Sequence, residues 1–279
     1  MRIPEKDSFK ARIVNYSLKN NLRREVVYQN YIYERFLERL SKSKYANYLV
    51  IKGGALITYL VGMKDRSTTD IDLTLINNKL DEKIIYKMIK EIIDIKVNDG
   101  FVFKIKSVKQ IMLEASVKAY RVEIDVNYFT IIFHFSLDIC EGNNPIPNPI
   151  KYEFGCILDD NKSISVYGYC VESILADKAV TFLEKGLSNT RMKDFYDIYT
   201  LTKKKYDRDA FILSFKEVYK SKRLNYSFDE NKRLLNNIKN DITFNILSEN
   251  YQKTNPYAKG ITLLMCLTSI DELLRGILN

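Results

Sequence analysis

The feature that most constrains this chain is a pair of glycines, Gly53-Gly54, set directly behind the apolar run at residues 48–51. The run reads as a short buried strand, the glycines break it, and residues 56–61 read as a helix. After a polar turn, Asp70-Ile71-Asp72-Leu73-Thr74-Leu75 alternates polar and apolar, the pattern of a half-buried strand. Residues two apart on a strand share a face, so Asp70 and Asp72 aim their carboxylates at one spot. Like charges held that close repel unless a cation lies between them, and a hard, oxygen-seeking ion such as magnesium suits the place. The glycines leave bare backbone N–H groups at a helix start, where orphan donors and the helix dipole favour a phosphate. A phosphate cradle beside cation-binding carboxylates is equipment for phosphoryl or nucleotidyl transfer.

The rest of the composition narrows the setting. At 279 residues the chain suits one large or two small domains with an ample core. Its polar, charged start does not read as a signal peptide, and no apolar stretch is long enough to span a membrane, so a cytoplasmic protein is expected. Cys140, Cys156, Cys170 and Cys266 lack any C-x-x-C spacing and read as reduced, mostly buried thiols. The single histidine, His134, lies in an apolar alternation and reads as packing on a strand, which sets zinc chemistry aside. A net charge of +9 permits an anionic partner without specifying one. The densest basic groups, Lys203-Lys204-Lys205 and Lys220-Ser221-Lys222-Arg223, read as solvated helix ends or as an RNA or partner patch.

Helix-period apolar positions over residues 8–41 predict two leading helices. Residues 79–93 predict another, and residues 97–108 and 120–138 predict strands, the latter a hairpin turning near Phe129-Thr130. Residues 143–149 hold three of the five prolines and form a loop. A last short strand is expected at residues 165–169. Beyond Val171 only helical periodicity remains, which places a nucleotidyl-transfer domain at residues 1–170 and a helical domain at residues 171–279.

A site that handles two metal ions needs a further carboxylate from a neighbouring strand. Asp125 and Asp138, both in the long hairpin, are the candidates, and spacing alone does not choose between them. A second unusual block lies in the helical half. Lys178 is embedded among Ile174, Leu175, Ala179 and Phe182, and Thr190 is placed to cap a helix on which Asp194 and Asp197, three apart, share a face. This reads equally as a phosphate-binding lysine with carboxylates beside it and as a buried structural ion pair.

Together these blocks resemble the AbiEii/AbiGii toxin nucleotidyltransferase family of bacterial abortive-infection and type IV toxin–antitoxin systems. The similarity runs from Leu49-Val50-Ile51-Lys52-Gly53-Gly54-Ala55-Leu56 and Arg66-Ser67-Thr68-Thr69-Asp70-Ile71-Asp72, through Asp99-Gly100, Tyr120-Arg121-Val122 and Phe135-Ser136-Leu137-Asp138-Ile139. It continues in Glu172-Ser173-Ile174-Leu175-Ala176-Asp177-Lys178 and Arg191-Met192-Lys193-Asp194-Phe195-Tyr196-Asp197-Ile198. The resemblance implies an α+β chain: a DNA-polymerase-β-like nucleotidyltransferase fold, a mixed sheet with flanking helices, followed by an all-α C-terminal bundle that completes the cleft. It implies that Lys52, Gly53 and Gly54 meet nucleotide phosphates, and that Asp70 and Asp72 hold Mg²⁺ in a two-ion site. It favours Asp138 over Asp125 as the third carboxylate. Lys178 and Asp194 fall on its downstream motifs, with Arg191 and Asp197 beside them, while Arg66 and Thr69 position the loop or a phosphate. Two departures stand out: Glu141-Gly142-Asn143-Asn144 replaces the usual Gly-Asp turn, and fifteen residues separate Gly54 from Asp70, an extended insertion.

The function expected from this reading is transfer of a nucleoside monophosphate from an NTP to an acceptor hydroxyl. The resemblance suggests the 3′ end of a tRNA, with growth arrest relieved by a separately encoded antitoxin. The alternatives are an antibiotic-modifying nucleotidyltransferase, modification of a protein hydroxyl, and a non-catalytic RNA- or partner-binding module.

Overall fold

In the computed structural model of the chain, which describes residues 6–111 and 118–278, the polypeptide forms two compact units. The first contains seven strands: β1 (Leu49–Lys52), β2 (Asp70–Ile76), β3 (Val102–Ile111), β4 (Ala119–Tyr128), β5 (Ile131–Gly142), β6 (Ile150–Cys156) and β7 (Asp159–Gly168). It also contains helices α1 (Lys6–Asn20), α2 (Arg24–Ser41), α3 (Gly53–Val61) and α4 (Glu82–Ile93). The strands form one mixed sheet in the order β3-β4-β5-β2-β1-β7-β6, with β2 parallel to β5 and β1 parallel to β7.

Alternation along the central strands gives the sheet one apolar and one polar face. Ile71 and Leu73 of β2, Leu137 and Ile139 of β5, and Val122 and Val126 of β4 are all fully buried. Each such side chain contributes roughly 1.5–3 kcal/mol by leaving water. Helix α2 covers this face: the rings of Tyr33 and Phe36 lie 5.7 and 5.9 Å from that of Phe135, both edge-on. The same helix carries charge into the interior, and every carboxylate there is answered. Arg39 grips Asp99 through two bonds of 2.7 and 2.8 Å, and Arg35 pairs with Glu34 and Glu38. Burial opposes ionisation of Glu38, but Lys162, Lys42 and Arg35 outweigh it and hold its carboxyl down at about 2.

The second unit comprises Pro145–Asn148 and six helices: α5 (Val171–Lys185), α6 (Met192–Thr202), α7 (Arg208–Ser221), α8 (Phe228–Asn240), α9 (Ile242–Thr254) and α10 (Leu263–Leu274). Local chemistry starts several of them. Asp207 and Asp241 cap α7 and α9, and Ser227 with Glu230 forms a reciprocal capping box at α8. Phe182 of α5 meets Phe195 of α6 perpendicular to it at 5.6 Å. Beside that contact the Lys178 ammonium lies 2.8 Å from Asp194 and 2.7 Å from Asp197, joining the two helices. Burial by itself would lower the lysine's pKa, but the two carboxylates more than offset it and raise it.

Several expectations are met and several are corrected. The leading helices fall at residues 6–41, the hairpin turns at Phe129-Thr130 with Phe129 at φ +50°, and among the described residues the regular elements from Val171 onward are all helices. Strand β3 begins five residues later than the periodicity suggests. Strand β6 is missed in the sequence, and its partner β7 is twice the length expected. Strand β7 opens with the polar run Asp159-Asp160-Asn161-Lys162-Ser163, which hides its first half from an alternation pattern. Helix α3 starts at Gly53 itself, and α6 is preceded by Arg191 at its N-cap position, so Thr190 does not cap it.

The Lys178 cluster makes a direct prediction. Asp197 is fully buried and Asp194 is 7% exposed, so a neutral residue at position 178 would take away the cation that both carboxylates share in the interior. Lys178→Met is expected to lower stability by about 3–5 kcal/mol in denaturant titrations. Because the lysine's pKa is raised, its contribution is whole below the ordinary lysine range and is lost only as pH climbs above it. An unchanged denaturation midpoint in the variant would contradict this account.

Candidate active site on the polar face of the sheet

The site candidates of the first unit converge through strand register. In the β2–β5 pair, Asp70 lies opposite Ser136, Asp72 opposite Asp138, and Thr74 opposite Cys140. Strand β1 sets Lys52 beside Asp72, and β4 sets Arg121 beside Asp138. Laterally paired residues project to the same side of a pleated sheet, so Lys52, Asp72, Asp138 and Arg121 form one charged row across four strands. Asp70 and Ser136 form the next row.

Each member of these rows is held by a specific contact. The N–H of Gly54 donates to Asp72 Oδ2 at 3.1 Å. Gly53 adopts φ +60°, and a Cβ built there would lie 2.0 Å from the same oxygen, so only glycine lets the backbone come this close. Ser136 Oγ donates to Asp70 Oδ1 at 2.6 Å. Arg121 reaches Asp138 with a two-pronged grip, Nε to Oδ1 and the terminal nitrogen to Oδ2, both at 2.7 Å. The guanidinium's pKa is raised by this bond first, and further by the charges of Asp138, Asp70 and Asp72. Lys52 Nζ lies 3.0 Å from the Cys140 thiol and 5.7 Å from the centre of the Tyr169 ring.

The register also separates the two hairpin carboxylates. Asp138 neighbours Asp72 directly, whereas Asp125 lies on β4, one strand further away, 2.6 Å from the exposed His134 ring. Arg66 is buried and bonds to the carbonyl of Ser67, steadying the turn into β2, while Thr69 is exposed at the strand's mouth with its hydroxyl 3.4 Å from Asp70 Oδ2. Thr69, Arg121, Asp125, His134 and Ser136 border an open depression of about 330 Å³ on this face. In the helical unit, Arg191 lies 3.6 Å from Asp194, which with Asp197 encloses Lys178 as described above.

The donor set suits a divalent cation. Asp70, Asp72 and Asp138 offer hard oxygen ligands from adjacent strands, and the Gly53 backbone leaves Asp72 uncrowded. Among the described residues no three acidic, thiol or imidazole groups close on a single point, and both oxygens of Asp138 are engaged by Arg121. Arg121 and Ser136 are the functional candidates that the sequence reading gave no role. A signal for both existed: Ser136, Asp138 and Cys140 alternate along one strand face, as do Arg121, Glu123 and Asp125 along another.

Comparison with known proteins identifies the family and the fold. The sequence matches the family model described as nucleotidyl transferase AbiEii toxin, type IV TA system, over residues 35–258. No curated protein matches it. Among solved structures, the fold is similar to that of a Helicobacter pylori protein assigned to the nucleotidyltransferases, with a TM-score of 0.53, 13% identity, and coverage of 92% of this chain and 96% of that one. A second H. pylori structure, of the protein JHP933, matches with a TM-score of 0.49, 14% identity, and 91% coverage of each chain. With 224 consecutive positions matched, from Arg35 to Ala258, this chain belongs to the AbiEii family of nucleotidyltransferase toxins of type IV toxin–antitoxin systems.

Proposed function

We propose that this protein transfers a nucleoside monophosphate from an NTP to the 3′-terminal hydroxyl of a tRNA. The transfer arrests growth in the cytoplasm, a separately encoded antitoxin relieves it, and phage-infected cells are the setting in which it acts. The observation that carries this reading is the Gly54 N–H on Asp72, with Asp70 on the same strand face and Asp138 in register beside it.

The chemistry assigned to each residue follows from its surroundings. The N–H groups at the start of α3 and the Lys52 ammonium receive the phosphates, since both are positive ends on one side of the carboxylates. Ser136 fixes the rotamer of Asp70 through its hydroxyl. Asp138 accepts the proton of the acceptor hydroxyl, whose oxygen bonds to the α-phosphorus in line as the bond to the bridging oxygen breaks and pyrophosphate leaves. Asp70, Asp72 and Asp138 would hold magnesium, in a two-ion site, which supplies neutralisation of the phosphate charge and polarisation of the hydroxyl. Most of the acceleration in such a site comes from positioning and charge neutralisation. In the helical unit, Lys178 is paired with Asp194 and Asp197, and Arg191 stands 3.6 Å from Asp194, an arrangement that suits a structural ion pair joining two helices.

Two experiments test the reading. Purified protein incubated with α-³²P-labelled NTPs, deacylated total tRNA and, separately, aminoglycosides is expected to label tRNA 3′ ends. Label in the antibiotic pool would favour the small-molecule alternative, and label in neither would contradict nucleotide transfer to both. Asp70→Asn and Asp72→Asn, each removing one carboxylate charge without changing side-chain size, are expected to reduce labelling by about a hundredfold or more while the circular dichroism spectrum is retained. The second test concerns the cradle. Gly53→Ala places a side chain where φ is positive, at a cost of about 1–2 kcal/mol, and displaces Asp72. It is expected to remove at least about nine-tenths of the activity with little loss of helical and strand content. Full activity in this variant would show that the close approach of Gly53 to Asp72 has no part in the reaction.

A further inference from the structure

We propose that Arg121 is the resident counter-ion of Asp138, a positioning residue that holds this carboxylate away from Asp72 and is displaced when a divalent cation binds. The inference rests on the nucleotidyl-transfer reading in one respect, the identity of Asp70 and Asp72 as cation ligands. Its own content concerns what happens to the third carboxylate.

Three observations carry it. First, both oxygens of Asp138 are engaged by one guanidinium at 2.7 Å, a fork that turns the carboxylate plane toward β4 rather than toward its in-register neighbour Asp72. Second, the Arg121 side chain is 43% exposed, so it can leave the carboxylate without opening the core. Glu123, two residues along β4 and so on the same face, borders the same depression and offers the displaced guanidinium another acidic group. Third, Arg121 is the cation at the end of the row Lys52, Asp72, Asp138, and it occupies the electrostatic role that a metal ion at the carboxylates would take over. Two cations that neutralise the same carboxylate compete for it, so each weakens the binding of the other.

A purely structural cross-strand pair gives a different expectation. Half-exposed ion pairs contribute little to stability, so removing Arg121 would then change little, and would change metal affinity not at all. The competition reading fixes the sign of the effect: a neutral residue at position 121 tightens metal binding.

The test is a calorimetric Mn²⁺ titration of the full chain as wild type, Arg121→Gln and Arg121→Lys, with thermal unfolding recorded to show that each is folded. Arg121→Gln is expected to bind Mn²⁺ about tenfold more tightly than wild type, the scale of one charge-assisted hydrogen-bonded pair. Arg121→Lys is expected to fall between them, because an ammonium does not span both oxygens. Asp70→Asn in the Arg121→Gln background is expected to abolish the gain. Equal affinities in wild type and Arg121→Gln would overturn the counter-ion proposal and leave the cation site standing. Weaker binding in Arg121→Gln would overturn it in favour of Arg121 as an organiser of the site. Absence of saturable Mn²⁺ binding in all of them would overturn both this proposal and the functional reading beneath it.

Discussion

The parallel pairing of β2 with β5 is the constraint on which the candidate site depends. It places Asp72 opposite Asp138 with strands about 4.8 Å apart, and two unit charges at that distance repel by about 3–4 kcal/mol at an effective dielectric near 20. A sheet carries such a pair only if cations flank it, and they do: Lys52 on the β1 side and Arg121 on the β4 side. The opposite face of the same strands explains why the register does not slip. A shift by one residue would send Ile71, Leu73, Leu137 and Ile139 to the polar face and the carboxylates under α2. The apolar face therefore secures the alignment on which the polar face relies.

Charge is handled in two opposite ways in this chain. In the helical unit, Lys178 is closed off by Asp194 and Asp197, and its side chain is 14% exposed. Around α2, the Glu34, Arg35, Glu38 and Arg39 side chains are similarly enclosed and matched. On the polar face of the sheet, Asp70, Asp72 and Asp138 remain partly accessible, and the Asp138 pair is open enough to exchange its partner. Enclosed pairs specify structure, whereas an accessible row of like charges with removable cations is poised for a ligand.

How much of this was legible in the sequence depended on the range of the interaction. The Gly-Gly break and the Asp70 to Leu75 alternation report local geometry, and the strand, helix and strand they predict are present within a few residues. Asp138 was separable from Asp125 only through family resemblance, because both alternate correctly within the hairpin. It is the β2–β5 register, a contact across more than sixty residues, that sets them apart. The alternation Arg121, Glu123, Asp125 announced a polar strand face, but the carboxylate that Arg121 meets is set by the β4–β5 register. Strand β6 was missed because it is a short edge strand directly behind the proline-rich loop, and its pairing with β7 is a contact that its own alternation does not announce. Thr190 looked like a cap from its position before an amphipathic run, yet the chain enters α6 one residue later.

The most direct measurement of the central claim, that the β2 carboxylates form a divalent-cation site beside the Gly53-Gly54 cradle, is crystallographic. Crystals grown with Mn²⁺ and a non-hydrolysable NTP analogue, measured at the manganese absorption edge, should show an anomalous peak at about 2.0–2.6 Å from carboxylate oxygens of both Asp70 and Asp72. The triphosphate should lie against the N–H groups at the start of α3. A nucleotide bound elsewhere, or manganese peaks with none at these two residues, would contradict the account.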